Sequence, residues 1–138
     1  DLISLLVATV ANNGNLLLNI GPRADGTIPE EQVRRLKILG SWLKVNHDGI
    51  YDTRCSKRES ELLDSGIELH YTEKDGILNI FADHLQEGKN EFVIKDYHDK
   101  LRPFDASIEM ILEDTTEGVK VIIRNYSNEQ YVLGFTQK

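Results

Sequence analysis

Residues 13–29 read NGNLLLNIGPRADGTIP, and the structure predicted for the first part of the chain follows from this stretch. Residues 15–20 form a short, nearly continuous apolar run, which is typical of a strand buried on both faces, as in a parallel sheet. Gly21 and Pro22 end the run, because glycine and proline are the strongest local breakers of regular structure. The stretch therefore predicts one buried strand followed by a loop.

A helix is predicted on each side of this strand. The first covers residues 2–13, where apolar residues recur at helical spacing and Asn12-Asn13-Gly14 supplies the left-handed positions that commonly end helices. The second begins at a predicted capping box, Thr27-x-x-Glu30, and ends near residues 46–49. Its inner stripe is predicted to be Val33, Leu36, Gly40 and Leu43, widened by Leu39 and Trp42.

The pattern changes after Tyr51. Residues 52–66 are polar without a sustained period and are interpreted as a linker. Beyond them apolar residues alternate with polar ones, and glycine-containing turns divide the sequence, which predicts about six antiparallel strands in a β-sandwich. The apolar positions of these strands are Ile67/Leu69/Tyr71, Leu78/Ile80/Ala82, Phe92/Ile94, Ile108/Met110/Leu112, Val119/Val121/Ile123 and Tyr131/Leu133/Phe135.

The helix, strand and helix of the first part are too few to form a core. An α/β barrel needs eight strand–helix units and about 250 residues. The chain also begins at Asp1, and its only methionine is Met110. We therefore expect the first part to complete a larger structure formed by residues upstream.

Residues 13–29 resemble the segment that closes the catalytic barrel of family 29 glycoside hydrolases, the α-L-fucosidases. The resemblance covers roughly residues 1–54 and continues through Leu36, Gly40, Trp42-Leu43, Asn46, Ile50-Tyr51 and Thr53-Arg54. The family usually has Gly-Glu-Ala or a close variant before the Ile-Tyr pair and a glycine after it. This chain instead has His47-Asp48-Gly49 and Asp52.

The resemblance implies an α/β fragment followed by an all-β antiparallel sandwich. Residues 1–54 would be the last helix-strand-helix of a TIM-type barrel, residues 55–66 a linker, and residues 67–138 the C-terminal β-sandwich. The implied protein is a retaining glycosidase that hydrolyses terminal α-L-fucose from glycoconjugates, with two carboxylates about 5–5.5 Å apart. In the family both carboxylates precede this segment, so no catalytic residue is expected here and the fragment alone is expected to be inactive. The implied partners are a fucosylated substrate and the missing N-terminal catalytic portion.

Four residues are candidates for substrate binding or for supporting the catalytic groups: Asn19, Gly21, Pro22 and Arg23. They lie at the C-terminal end of the predicted strand, and the active sites of α/β barrels gather at that rim. A plainer interpretation stays open, in which Asn19 satisfies backbone groups at the strand end and Gly21-Pro22 only breaks the strand.

Composition and spacing argue against several other functions. Residues 56–138 hold seventeen acidic and ten basic residues, which accounts for the whole net charge of −7 and disfavours nucleic acid and anionic membranes. The four histidines show no metal-ligand spacing, so neither a metal nor a cofactor is expected. The sequence leaves the compartment open, and the resemblance is compatible with a secreted, periplasmic or lysosomal protein. The alternative function is a carbohydrate-binding or structural β-sandwich module without catalysis.

Overall fold

The computed structural model describes residues 1–16 and 21–138. Helix α1 spans Leu2–Ala11, and the Asp1 carboxylate caps it by accepting a 2.8 Å hydrogen bond from the Ser4 backbone N–H. Helix α2 spans Glu30–Asn46 and continues into a 3-10 helix at His47–Gly49. Both predicted helices are present, whereas residues 17–20 of the predicted strand lie outside the described residues.

The predicted capping box at Thr27 is wrong. The residue before α2 is Pro29, and no side chain caps the helix. The Thr27 hydroxyl donates instead to the Asp25 carboxylate at 2.7 Å, because the turn that precedes the helix brings these two side chains together.

The predicted inner stripe of α2 is also only partly correct. Leu39 and Trp42 are buried as expected, but Gly40 is exposed and the third buried residue is Asn46. The helix is therefore turned so that the side bearing Gly40 does not face the rest of the described chain.

The remainder of the chain forms two antiparallel sheets. One has the strand order β1-β3-β4-β9-β6, with β2 also paired to β3, and the other has the order β5-β8-β7. The strands are β1 (Arg54–Cys55), β2 (Glu61–Leu62), β3 (Glu68–Lys74), β4 (Ile77–Asp83), β5 (Gly88–Lys95), β6 (Leu101–Pro103), β7 (Glu109–Asp114), β8 (Gly118–Tyr126) and β9 (Leu133–Gln137). An antiparallel arrangement was predicted, and all six predicted strands are present.

The differences lie at the sheet edges. The segment interpreted as a linker contains β1 and β2, which pair with β3 in the registers Arg54↔Glu73 and Glu61↔Leu69. Two-residue edge strands that are mostly exposed have no need of an alternating apolar pattern, so periodicity does not reveal them. Tyr131 precedes β9 instead of belonging to it, since it adopts a left-handed φ of 56° after a short 3-10 helix.

The core has two parts on opposite faces of the larger sheet. Between the sheets lie residues such as Leu69, Ile80, Ile94, Val121 and Phe135. On the other face, both helices pack around Phe81 in a second cluster that contains Ile3, Val7, Leu39, Trp42, Ile50, Phe81 and Val132. Strand β4 is consequently covered on both faces, which explains why Ile80, Phe81 and Ala82 are all buried in succession. Among the described residues, no helix is long and apolar enough to cross a membrane.

Candidate functional site

The loop that leads into α2 contains three of the four candidate residues. Gly21, Pro22 and Arg23 are all exposed at its start. The Gly21 backbone N–H donates to the Gln32 side-chain oxygen at 3.3 Å, which ties the beginning of the loop to the first turn of α2. The fourth candidate, Asn19, lies outside the described residues.

A compact turn fixes the rest of the loop. The Arg23 N–H donates to the Thr27 carbonyl at 2.6 Å, and the Gly26 N–H donates to the Arg23 carbonyl at 2.9 Å. Gly26 has a φ of 88°, a conformation that glycine adopts without steric cost. The hydrogen bond from the Thr27 hydroxyl lowers the pKa of Asp25, so this carboxylate is held ionised within the turn.

This arrangement leaves the Arg23 side chain exposed. Its backbone is held by the turn, while its side chain makes no ion pair within residues 1–16 and 21–138. A fixed backbone with an exposed cationic side chain can present hydrogen-bond donors to a ligand or to another part of a larger protein.

A cleft of about 660 Å³ lies between α1 and α2, the helix into which this loop leads. Glu31 and Arg34 on its wall form an ion pair at 2.9 Å, which lowers the pKa of Glu31. Tyr131 also lines the cleft, and its hydroxyl-bearing ring packs against the helical cluster. The backbone of Tyr131 is strained, with φ 56° and ψ −131° at a non-glycine residue.

An aromatic residue and a group of polar residues elsewhere in the chain have structural roles. Trp42 is buried, as its helical spacing predicts, and is not available as a platform for a sugar ring. His98 pairs with Asp114 at 2.7 Å on the surface, while Asp99 accepts a hydrogen bond from Gln137. The local grouping of His98 with Asp99 therefore does not form an acid–base pair.

One polar cluster has no signal along the sequence. The register of β3 with β4 sets Glu68 directly opposite Asp83, and His84 follows Asp83. The ligand-capable atoms of these three residues lie within 4.8 Å of one another. Only the strand register brings them together, so a search for histidine spacing could not find them.

Known proteins match both parts of the chain. The sequence profile of the family described as "Alpha-L-fucosidase" matches residues 1–48. The crystal structure of Thermotoga maritima α-fucosidase superposes on 99% of this chain with a TM-score of 0.76 and 26% identity. The chain is related to the α-L-fucosidases. An α-L-fucosidase of Branchiostoma floridae is 40% identical over 90 residues, and the human plasma α-L-fucosidase is 43% identical over 86 residues.

These α-L-fucosidases are much longer than this chain. The matches cover 64% and 62% of the chain but only 20% and 18% of the Branchiostoma and human proteins. The Thermotoga superposition covers 33% of that structure. The chain thus spans about a fifth of the length of the curated relatives it matches.

Proposed function

We propose that this chain is the C-terminal part of an active α-L-fucosidase, a retaining glycosidase that removes terminal α-L-fucose from glycoconjugates. The observation that carries the proposal is the superposition of nearly the whole chain, helices and sandwich together, on one third of an α-fucosidase. In this proposal the catalytic carboxylates belong to the residues that precede Asp1, and residues 1–138 alone are inactive.

We further propose that residues 1–54 form the last helix-strand-helix of a catalytic barrel, joined through residues 55–66 to the sandwich of residues 67–138. The composition of α1 supports this. Its ten residues include no charged side chain, yet only Ile3, Val7 and Ala11 are buried, and Leu5 is 51% exposed. A helix that is apolar all round is usually buried on all sides. The preceding barrel units are the expected cover.

Helix α2 gives independent support for a missing neighbour. The predicted apolar stripe included Gly40, which is exposed, and Val45 near the end of the helix is 41% exposed. Apolar residues thus extend beyond the face that packs on the sandwich. The missing N-terminal catalytic portion would cover this surface.

The four rim residues are assigned binding or supporting roles in the same proposal. The Asn19 amide and the Arg23 guanidinium would donate hydrogen bonds to sugar hydroxyls or to a catalytic carboxylate, and Gly21-Pro22 would shape the floor of the pocket. The exposure of the Arg23 side chain, which makes no ion pair with residues 1–16 or 21–138, supports the role proposed for it. The fucosylated substrate is supported by a Thermotoga maritima α-L-fucosynthase structure described as a complex with a fucosyl disaccharide, which matches this chain at 28% identity and a TM-score of 0.77.

Hydrolysis of a chromogenic α-L-fucoside tests the proposal. The full-length protein should release fucose, and residues 1–138 should release none. In the full-length protein, Asn19→Ala and Arg23→Ala should each lower kcat/KM by roughly 10- to 100-fold, the equivalent of about 1.5–3 kcal/mol for a lost hydrogen bond to a charged group. Arg124→Ala, at an exposed arginine of the sandwich, is the matched control and should leave kcat/KM unchanged.

Two results would overturn the proposal. One is an absence of fucose release by the full-length protein. The other is hydrolysis by residues 1–138 alone, since the proposal gives them no catalytic carboxylate. An inactive full-length protein that binds fucosylated glycans through the sandwich would favour the carbohydrate-binding module instead.

A further inference from the structure

One short motif of the chain has no part in the proposed fucosidase activity. Asn125-Tyr126-Ser127 is the only Asn-x-Ser/Thr triplet among the 138 residues, and its middle residue is not proline. This triplet is the acceptor motif for N-linked glycosylation in secreted proteins. A motif of three residues recurs by chance, so the placement of Asn125 in the fold decides whether it can carry a glycan.

A β-bulge lies at Asn125 in strand β8. The register of β8 with β5 shifts by one residue between Gly88 and Asn90, and Arg124 and Asn125 consequently both lie opposite Lys89. The pairing of β8 with β7, on its other side, ends at Arg124. Asn125 is therefore the extra residue of the bulge and has no cross-strand partner among the described residues. Bulges commonly redirect a side chain in this way.

The backbone of Asn125 suits asparagine and directs its side chain outwards. Its φ is 55°, a left-handed conformation that asparagine adopts more readily than most other non-glycine residues. The next residue, Tyr126, is only 5% exposed, whereas Asn125 is exposed. The two neighbouring side chains thus point in opposite directions, and the amide of Asn125 lies on the solvent side.

The contacts around the motif leave the amide available. The Asn125 Nδ2 donates one hydrogen bond of 3.3 Å to Oε2 of the exposed Glu109. Because an amide nitrogen carries two hydrogens, a sugar can replace one while the other stays on Glu109. The Ser127 hydroxyl accepts a 3.3 Å hydrogen bond from the Glu129 N–H and caps a short 3-10 helix, so the chain leaves the sheet directly after the motif.

The location of Asn125 is compatible with the proposed attachment of the upstream chain. Strand β8 belongs to the smaller sheet, and the core between the two sheets separates it from the larger one. Both helices pack on the opposite face of the larger sheet. A bulky glycan that starts from the smaller sheet therefore does not need the apolar surface of α1 that the upstream chain is proposed to cover.

We propose that Asn125 is a site of N-linked glycosylation in a eukaryotic secretory pathway. The co-reactant is an oligosaccharide joined to a lipid diphosphate. The amide nitrogen of Asn125 forms a bond to C1 of the first sugar, and the bond from C1 to the diphosphate oxygen breaks. The lipid diphosphate leaves with the electron pair of that bond, and the nitrogen releases one proton to a base of the oligosaccharide transferase. The proposal does not depend on the fucosidase activity.

The experiment uses the full-length protein, directed by a signal peptide into the secretory pathway of cultured insect cells and purified from the medium. A peptide N-glycosidase in heavy-oxygen water removes the glycans and converts each glycosylated asparagine into labelled aspartate. Trypsin then releases residues 125–138 as one peptide, because Arg124 and Lys138 are consecutive basic residues in the sequence. Mass spectrometry locates the label, and Asn128 in the same peptide is an internal control outside the motif.

Three variants and a matched control define the site. Asn125→Gly removes the acceptor, and glycine accepts the left-handed backbone. Ser127→Ala removes the motif but retains Asn125, whereas Ser127→Thr retains both the motif and a hydroxyl that can cap the following turn. Asn128→Gln changes a neighbouring exposed asparagine and leaves the motif intact. The Tm of each secreted protein measures whether the fold is retained.

We expect the label at Asn125 in most molecules of the wild type, Ser127→Thr and Asn128→Gln, and its loss in Asn125→Gly and Ser127→Ala. If Asn125→Gly does not fold, Ser127→Ala still tests the loss, because it leaves the bulge residue unchanged. An unlabelled Asn125 in secreted wild-type protein would overturn the proposal, as would a label that persists at Asn125 in Ser127→Ala.

Discussion

The indole Nε1 of Trp42 donates a 2.8 Å hydrogen bond to the backbone carbonyl of Val132, which lies 90 residues later in the chain. The Trp42 ring also lies 5.9 Å from the Phe81 ring, measured between centroids. Helix α2 is thereby fixed to the segment that precedes β9 and to the outer face of β4. The part of the chain that matches the fucosidase family profile and the sandwich are thus packed together around a shared core.

Replacing Trp42 with phenylalanine tests this link. We expect Trp42→Phe to lower the free energy of unfolding of the 138-residue chain by about 1–3 kcal/mol, because the Val132 carbonyl loses its donor in a buried position. Urea denaturation followed by circular dichroism measures the change. Leu62→Ala, at a leucine that is 70% exposed, should change it by less than about 0.5 kcal/mol. An unchanged midpoint for Trp42→Phe would show that the hydrogen bond does not hold the helix in place.

Replacing two glycines with alanine should change the stability of the chain in opposite directions. A Cβ at Gly134 would lie 2.6 Å from Asn46 Oδ1 and 2.8 Å from both Phe81 and Phe104, so Gly134→Ala should destabilise the 138-residue chain by about 1–3 kcal/mol. A Cβ at Gly40 would meet nothing within 4 Å, and Gly40→Ala should stabilise helix α2 by about 0.5–1 kcal/mol. Thermal unfolding of both variants measures the difference. Equal shifts of the same sign would contradict the packing described around Phe81.

The buried tyrosines predict a loss of stability in alkaline solution. Burial raises the pKa of Tyr126 to about 12, with a contribution from the charge of Asp83, and burial raises the pKa of Tyr97 to about 12, with a contribution from Asp99. The unfolded value is 10.0, so unfolding releases protons between these values. The stability that these groups contribute is therefore complete below pH 10 and is lost as the pH rises towards 12.

Phenylalanine variants measured against pH test this assignment. Tyr126→Phe and Tyr97→Phe should each flatten the fall in unfolding free energy over that window. Tyr51→Phe, at an exposed tyrosine, should leave the slope as it is in the wild type. A slope unchanged by all three substitutions would assign the alkaline transition to other groups.

The exposed apolar side of α1 predicts opposite effects in the fragment and in the whole protein. In the 138-residue chain, Leu5→Lys should reduce self-association in sedimentation experiments, because Leu5 is exposed there. In the full-length protein the same change should lower the Tm, because it places a charge at a site that the upstream chain is proposed to bury. Leu62→Lys, at the exposed strand β2, should affect neither measurement. A full-length Leu5→Lys protein with an unchanged Tm would mean that the upstream chain does not cover α1.

The sequence predicts those elements whose signals are local. Helical spacing identifies α1 and α2, and alternation identifies the six main strands, including buried residues such as Ile80 and Val121. Edge strands β1 and β2 were missed because exposed two-residue strands leave no periodicity. The start of α2 was misjudged, since Thr27 is engaged by Asp25 in the preceding turn.

The sequence predicts less about the candidate functional residues than about the helices and strands. Gly21, Pro22 and Arg23 follow from a family resemblance and from their position after an apolar run, and their roles stay predictions. The grouping of Glu68 with His84 depends on strand register and on a single left-handed residue, neither of which is encoded in a short motif.

A crystal structure of the full-length protein with fucose bound would test the barrel assignment of residues 15–20 directly. We predict that residues 15–20 form an inner barrel strand, hydrogen-bonded on both sides to upstream strands, with Asn19 and Arg23 facing the pocket that holds the sugar and two carboxylates about 5–5.5 Å apart. A structure in which residues 15–20 lie at a solvent-exposed sheet edge, with fucose bound elsewhere, would show that this segment is not a barrel strand.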